Sequence, residues 1–514
     1  MTLFNNSKRV VSLVLSFMLV LVSGIFGVQA QDSELRVGLP AVVNLEPALG
    51  SNDPEITFNM AIYDYLIDTA ADGSLTPNLA QSWSVSEDGL TYTLNLVEGA
   101  TFHDGSLFTS ADVVYTFNRL QEVESPALNL LGSYTVAADG DNTVIFTLET
   151  PNADFAYGLS GNQTFVIKDG TTEPNVLSDG DNPFANFVGT GPFVLTDFVS
   201  GESATFTKNE NYWWDAEIGV DTLVLVFIDD AQAQLDAIKS GSVDFIYKVE
   251  FNRVEELEAA GLNVHIANGN RHPVIRIRSD EGHLGEDVRV RQAFKLATDR
   301  ELLNLDLFDG VAIVGNNDPI GPKYGPLYDD SIVQDYDPQA ACDLLAEAGY
   351  PDGLGADEPI QFHVVDAFNY GDMGVLLQQQ WAEGCINVEL LIEPENIYYG
   401  DDGWLEVDLG VTGWGDRPIP QEYLSSAYAT DGAYNESHWS DEELDGLIAD
   451  AGTTADVEAR SEIYSQIAQI FAERGPIIVP FFAPIIGATG EGVEGIDLHP
   501  FAGRTDLRNA TVSG

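Results

Sequence analysis

Basic residues are scarce in this sequence. It carries 22 lysines and arginines against 82 aspartates and glutamates in 514 residues, a formal net charge of −60. Such a charge excludes a nucleic-acid partner, whose phosphates would be repelled, and docking on an anionic membrane. The acids are scattered along the chain rather than held in a tail, so they read as a solvated surface. Adaptation to a saline medium is the sharper hypothesis, and it requires denaturation midpoints that rise with salt. Metal-binding signatures are missing: the seven histidines include no pair at helical spacing, and neither His-Glu-x-x-His nor Cys-x-x-Cys occurs. The phosphate loop with its lysine and the Gly-x-Ser-x-Gly elbow are missing too, so no motif argues for an enzyme or a cofactor. With so many carboxylates a pair at hydrolase spacing arises by chance, which keeps a secreted hydrolase as a rival.

Long apolar runs are confined to the N-terminus. Lys8 and Arg9 precede an apolar stretch from Val10 to Phe26, and Val28-Gln29-Ala30 supplies small residues for cleavage. Residues 1–30 therefore read as an export signal, with the mature chain beginning near Gln31. The alternative is an uncleaved anchor, since a spanning helix needs about 20 apolar residues. Removing residues 1–30 leaves 20 basic and 82 acidic residues, a net charge of −62. No cysteine near the cleavage point offers a lipid attachment, and no later run is long enough to span a bilayer. The expected product is periplasmic or extracellular, soluble and without an integral membrane segment. An exported chain meets an oxidising compartment, where Cys342 and Cys385, the only cysteines, either form a bridge or remain as two buried thiols.

The interior of the chain alternates helix-like and strand-like segments. Leu90–Val97 and Thr143–Leu148 alternate apolar and polar positions as strands do, and Leu223–Ile228 and Ile477–Phe482 read as apolar strands. Ser110–Leu120, Ala231–Lys239, Gly446–Asp450 and Glu458–Arg474 read as helices. So does Pro338–Ala348, with Asp337 as N-cap, proline in the first turn and Gly349 closing it. No repeat or low-complexity linker divides this mixed α/β pattern.

Five motifs occur in order: Phe102-His103-Asp104-Gly105, Val188-Gly189-Thr190-Gly191-Pro192-Phe193, Asn211-Tyr212-Trp213, Asp287-Val288-Arg289-Val290-Arg291-Gln292-Ala293 and Leu344-Leu345-Ala346-Glu347-Ala348-Gly349-Tyr350. That set, running from about Leu35 to about Phe501, resembles the family 5 extracellular solute-binding proteins, the peptide and nickel receptors of ABC importers. The resemblance implies an α/β, two-lobed periplasmic-binding-protein fold (class II, cluster C type) with a discontinuous first lobe. Lobe I would hold residues 31–61, 186–273 and 484–514; an extra subdomain would hold 62–185; lobe II would hold 274–483. It also implies a monomeric, non-enzymatic receptor that closes on an oligopeptide or dipeptide and delivers it to a permease with its ATPase. Receptors for a nickel chelate, haem or an oligosaccharide are the alternatives.

The candidate ligand site is Thr412-Gly413-Trp414-Gly415-Asp416-Arg417-Pro418. A tryptophan among glycines offers a flat wall that approaches a ligand closely. By resemblance, Asp416 would hold a peptide's α-ammonium, although Arg417 follows it directly and could pair with it instead. Arg276 and Arg278 share one face of a strand and either clamp a ligand carboxylate or satisfy the protein's own acids. Asn435 matches an asparagine common in the family, and Asn44-Leu45-Glu46-Pro47 matches a segment that approaches the cleft. His103 and Tyr212-Trp213-Trp214 are assigned to turn and packing chemistry.

Overall fold

The computed structural model describes residues 33–50, 52–178, 182–215, 217–367, 369–400 and 403–513; the export signal expected over 1–30 lies outside them. Among the described residues no helix is long and apolar enough to cross a membrane.

Three sheets organise the chain, each with its own apolar core. The first has seven strands in the order Asn263–Asn268, Pro484–Thr489, Phe245–Tyr247, Glu34–Leu39, Thr222–Phe227, Ser203–Lys208, Phe193–Val199. Glu34–Leu39 lies parallel to both its neighbours and the remaining pairs are antiparallel. The second has five strands in the order Val388–Glu393, Ile360–Val365, Leu409–Trp414, His272–Ile277, Ile477–Ile478. The third is an antiparallel set of four: Ala80–Val85, Thr91–Leu96, Thr143–Leu148 and Tyr134–Ala138. The chain passes between the first and second sheets at two adjacent places. One is the segment 269–271, and the other is Ala483, whose N–H donates to the carbonyl of Arg271 at 2.7 Å.

Local sequence accounts for the elements. Asp337 accepts from Ala340 N–H at 2.9 Å to start the helix Pro338–Glu347, and Asp230 accepts from Ala233 at 2.7 Å ahead of Ala231–Lys239. Thr109 caps Ser110–Glu122, with Asp112 reaching back to its N–H at 2.8 Å. Residues 446–450 fall within the longer helix Glu442–Thr453, and 458–474 within Val457–Arg474. The expected strand 477–482 is instead two short ones. Ile477–Ile478 pairs with His272–Ile277 and Phe481–Phe482 with Ile313–Val314; Pro480, which has no N–H to donate, stands between them. Cys342 and Cys385 are joined in a disulfide with Cα atoms 5.2 Å apart. It fastens Pro338–Glu347 to the end of Tyr370–Glu383, and in the chain-entropy model a loop of its length stabilises by roughly 3–4 kcal/mol.

The motifs turn out to hold one another. Asp64 is 5% exposed and accepts hydrogen bonds from Thr190 Oγ1 (2.8 Å), Tyr212 Oη (3.0 Å) and Trp213 Nε1 (2.9 Å). Two motifs thus converge on one carboxylate. Gly189 and Gly191 are required by close approach: a Cβ at Gly189 would lie 1.9 Å from the carbonyl oxygen of Ile62, and one at Gly191 2.6 Å. His103 is tied to the same turn. Its Nε2 lies 3.0 Å from Gly191 O, and Gly189 N–H points at Nδ1 at 3.4 Å, an arrangement that fits the Nε2–H tautomer. Arg291 and Gln292, from the fourth motif, and Lys295, two residues beyond it, donate to the last carbonyls of Val457–Arg474: Arg474 O at 2.9 Å, Ala472 O at 2.8 Å and Phe471 O at 2.5 Å. The Arg291 guanidinium there complements the negative end of the helix dipole.

Candidate functional site

A cavity of about 850 Å³ opens between the third sheet's region and the elements after the second sheet's strand Leu409–Trp414. One wall is built from residues 126–133 and 150–163. The other holds Trp414, Arg417, Gln421, Glu422 and Tyr434, and Phe501 and Arg504 contribute from the C-terminal segment. The volume lies within the range of small-molecule sites. Among the described residues, contacts join the two sides around the cavity and the small pocket beside it. Asp154 and Arg460 form an ion pair at 2.5 Å with side chains 2% and 8% exposed. Ala153 N–H donates to Gly452 O at 3.0 Å, and Lys323 Nζ donates to Ala71 O at 3.2 Å.

Antiparallel pairing with His272–Ile277, in which His272 faces Trp414, carries Trp414 to the cavity's edge. Its ring meets Tyr423 edge-on at 5.7 Å and Tyr434 at 6.1 Å, and the Arg417 guanidinium lies 6.0 Å from its centre. Arg417 lines the cavity, with Nε 3.3 Å from Glu422 Oε2 and one terminal nitrogen on its neighbour's carbonyl, Asp416 O, at 3.0 Å. Burial and the negative charges of Asp154 and Asp416 push Glu422 up to about 7 against the pull of Arg417.

Asp416 lies one step behind, in a pocket of about 20 Å³ that shares Arg417, Pro418 and Phe501 with the large cavity. It is 8% exposed. Oδ2 accepts from Asn270 N–H at 2.7 Å, where the chain crosses between sheets. Burial pushes the carboxyl up to about 6, ahead of the opposing backbone hydrogen bonds from Asn270 and Arg417 and the charges of Lys323 and Arg417. Asp416 is therefore a buried carboxylate short of positive partners, fixed to the crossing strand. The pairing of Asp416 with Arg417 that the sequence left open does not form; Arg417 turns to Glu422.

The other candidates have structural occupations. Arg276 is 1% exposed. Its Nε donates to Glu436 at 3.2 Å and its terminal nitrogens to the carbonyls of Trp404 and Val407, which leaves no face for a ligand clamp. Arg278 is held by Asp280 at 2.8 Å and Glu406 at 2.9 Å. Both arginines serve the protein's own acids and loops, and neither lines the cavity. Asn435 fastens its loop, donating to Trp439 O at 2.8 Å and Ala429 O at 3.2 Å while accepting from Trp439 N–H at 3.3 Å. Glu46 pairs bidentately with Arg119 at 2.7 Å. The loop that contains Asn435 nonetheless reaches the cavity through its neighbour Tyr434, which the sequence reading passed over. Asp154, Gln421 and Glu422 were missed as well. Glu422 stood five residues beyond Arg417, whereas Asp154 carried no local signal. Among the described residues no cluster suited to a metal ion occurs.

A model of the family described as bacterial extracellular solute-binding proteins, family 5, matches residues 74–436. Heme-binding protein A of Haemophilus influenzae is 29% identical over 81% of this chain and 81% of its own length. Di/tripeptide-binding protein 1 of Pseudomonas aeruginosa is 27% identical over 83% of this chain and 84% of its own. Among solved structures, an ABC transporter substrate-binding protein from Listeria monocytogenes superposes with a TM-score of 0.82 at 23% identity, covering 94% of this chain and 100% of that one; at that identity the likeness shows the fold.

Proposed function

The chain belongs to the bacterial extracellular solute-binding proteins, family 5, and we propose from that premise that it is the receptor of an ABC importer for dipeptides or oligopeptides. In this reading the protein acts as an exported monomer without catalytic activity. It captures its ligand in the cavity of about 850 Å³ and presents the closed form to a permease with its ATPase. The observation that carries the reading is Asp416, a buried carboxylate pushed up to about 6 beside the cavity and bonded to the crossing strand at Asn270. A peptide's α-ammonium would supply the missing positive charge through a charge-assisted hydrogen bond. Because Asp416 also grips the crossing strand, the same contact would favour closure. Lobe I is assigned residues 31–61, 186–273 and 484–514, with 62–185 as its extra subdomain and 274–483 as lobe II. The two adjacent crossings, at 269–271 and Ala483, form the hinge. The di/tripeptide-binding relative supports the ligand class.

A heme-binding relative offers a second reading. Haem brings carboxylates of its own into a chain of net charge −60. The two arginines on the cavity lining are already engaged, Arg417 with Glu422 and Arg504 with Asp68 and Ser160. The peptide reading is therefore preferred. Mass spectrometry of small molecules released on denaturation tests it directly, with peptides as the expected finding. At a hundredfold excess over Kd, the right peptide stabilises the fold by about 2.7 kcal/mol; a broad panel of peptides that leaves Tm unmoved refutes the proposal.

A further inference from the structure

Two rings on the cavity wall, the buried Trp414 and the exposed Tyr434, begin an aromatic strip. Trp414 lies 6.1 Å from Tyr434, Tyr434 lies 5.9 Å from Trp404, and Trp404 lies 5.5 Å from Tyr399, all ring centre to ring centre. The strip runs outward from the cavity. Its exposed members are Tyr434, 48% open to solvent, and Tyr399, 43% open. Tyr434 is presented by a fixed turn. Its N–H donates to Ser426 O at 2.8 Å, and the side chain of the next residue, Asn435, ties the loop to Ala429 and Trp439. A ring held in place before the ligand arrives loses little entropy on contact.

The charged groups on the lining are largely occupied. Asp154 pairs with Arg460, Glu422 with Arg417 and Arg504 with Asp68, while Asp431 is exposed to water. The facing wall includes the apolar side chains of Pro126, Leu130 and Pro151. A ligand side chain entering between these walls meets flat apolar surface and few unpaired charges. Aromatic pairs prefer offset or edge-on contact at ring-centre distances of about 4.5–7 Å, which an open-faced tyrosine beside a tryptophan can supply.

We propose that Tyr434, extending the ring surface of Trp414 along the cavity wall, is a specificity residue that selects peptides bearing an aromatic side chain. This rests on the peptide reading. The test measures Kd by calorimetry for Ala-Ala, Ala-Leu, Ala-Phe and Ala-Trp, with haemin as a separate arm, on the wild type and on Tyr434→Ala and Tyr434→Leu. The readout is the ratio of the Ala-Leu to the Ala-Phe dissociation constant. Wild type should favour Ala-Phe and Ala-Trp by about tenfold. Tyr434→Ala should bring the ratio below about twofold, and Tyr434→Leu, which keeps apolar area without a ring, should do the same. If the wild type binds Ala-Leu as tightly as Ala-Phe, or if both variants keep the ratio, the specificity role is overturned while the peptide reading stands. If haemin binds and no peptide does, the peptide reading falls and this inference with it.

Discussion

Two buried aspartates divide this molecule. Asp64 and Asp416 are 5% and 8% exposed, and burial pushes both carboxyls up. Their company differs. Asp64 has Thr190, Tyr212 and Trp213 as donors and the field of Arg508. Asp416 has only backbone donors, the N–H of Asn270 at 2.7 Å and that of Arg417. A carboxylate whose partners are all built in belongs to the architecture; one left short of them beside a cavity is poised for a ligand. The residues with the most recognisable sequence context gather around the first. The Gly-Trp-Gly-Asp-Arg loop surrounds the second.

Breaking Asp64 should have the largest effect. Asp64→Ala strands three donors, one on the buried Thr190 and two on the half-buried Tyr212 and Trp213, and removes a charge that acts on Arg508, so a loss of about 3–5 kcal/mol is expected in urea unfolding. Asp64→Asn keeps one acceptor and the side chain's shape and should cost less. Equal stability of Asp64→Ala and wild type would show that the motif cluster is not what holds the first sheet to the Ile62–Asp64 turn.

What the sequence made legible was local. The helix Pro338–Glu347 announced itself because its cap, Asp337, lies next to its first turn. The family's motifs brought the α/β architecture with them. The cluster on Asp64 was hidden because its donors lie 126, 148 and 149 positions downstream. Arg276 was left open between two roles for a similar reason: strand alternation placed it beside Arg278, but its partners Trp404, Val407 and Glu436 return from more than a hundred residues away and close over it. In the site itself, Trp414 and Arg417 were legible as an aromatic and a cation among glycines. Asp154 was not, because it reaches the cavity only when its helix end meets Val457–Arg474.

The pair Asp154–Arg460 sharpens the comparison, since it is buried like the Asp64 cluster yet joins the two walls of the cavity. If the walls part on ligand release, the pair forms only in the closed state. Arg460→Ala should then weaken peptide binding by roughly tenfold to a hundredfold, because an unpaired buried Asp154 disfavours closure. Stability of the free protein should fall by less than in Asp64→Ala. Calorimetry alongside urea unfolding separates the two, and a stability loss with unchanged peptide affinity would return the pair to architecture.

The smallest effect isolates Asp416. Its carboxyl titrates at about 6 in the free protein, and an ammonium ligand needs it ionised. Affinity for a free-amine peptide should therefore be highest near pH 7, fall by about tenfold at pH 5, where roughly nine-tenths of the group is protonated, and fall again above about pH 8, where the peptide's own α-ammonium loses its proton. An N-acetylated peptide should show no such slope, and Asp416→Asn should abolish it. Stability runs the opposite way. A carboxyl raised above its unfolded value of 3.8 destabilises the fold wherever it is ionised, so the penalty is full above pH 6 and is relieved as pH falls toward 4. For a shift of this size it is about 3 kcal/mol at most. Asp416→Asn should accordingly gain stability over wild type at pH 7 and lose that advantage near pH 4, while binding free-amine peptides more weakly. A variant that loses stability at both pH values and affinity for both peptide forms alike would place Asp416 beside Asp64, as a strut of the hinge rather than a seat for the ligand.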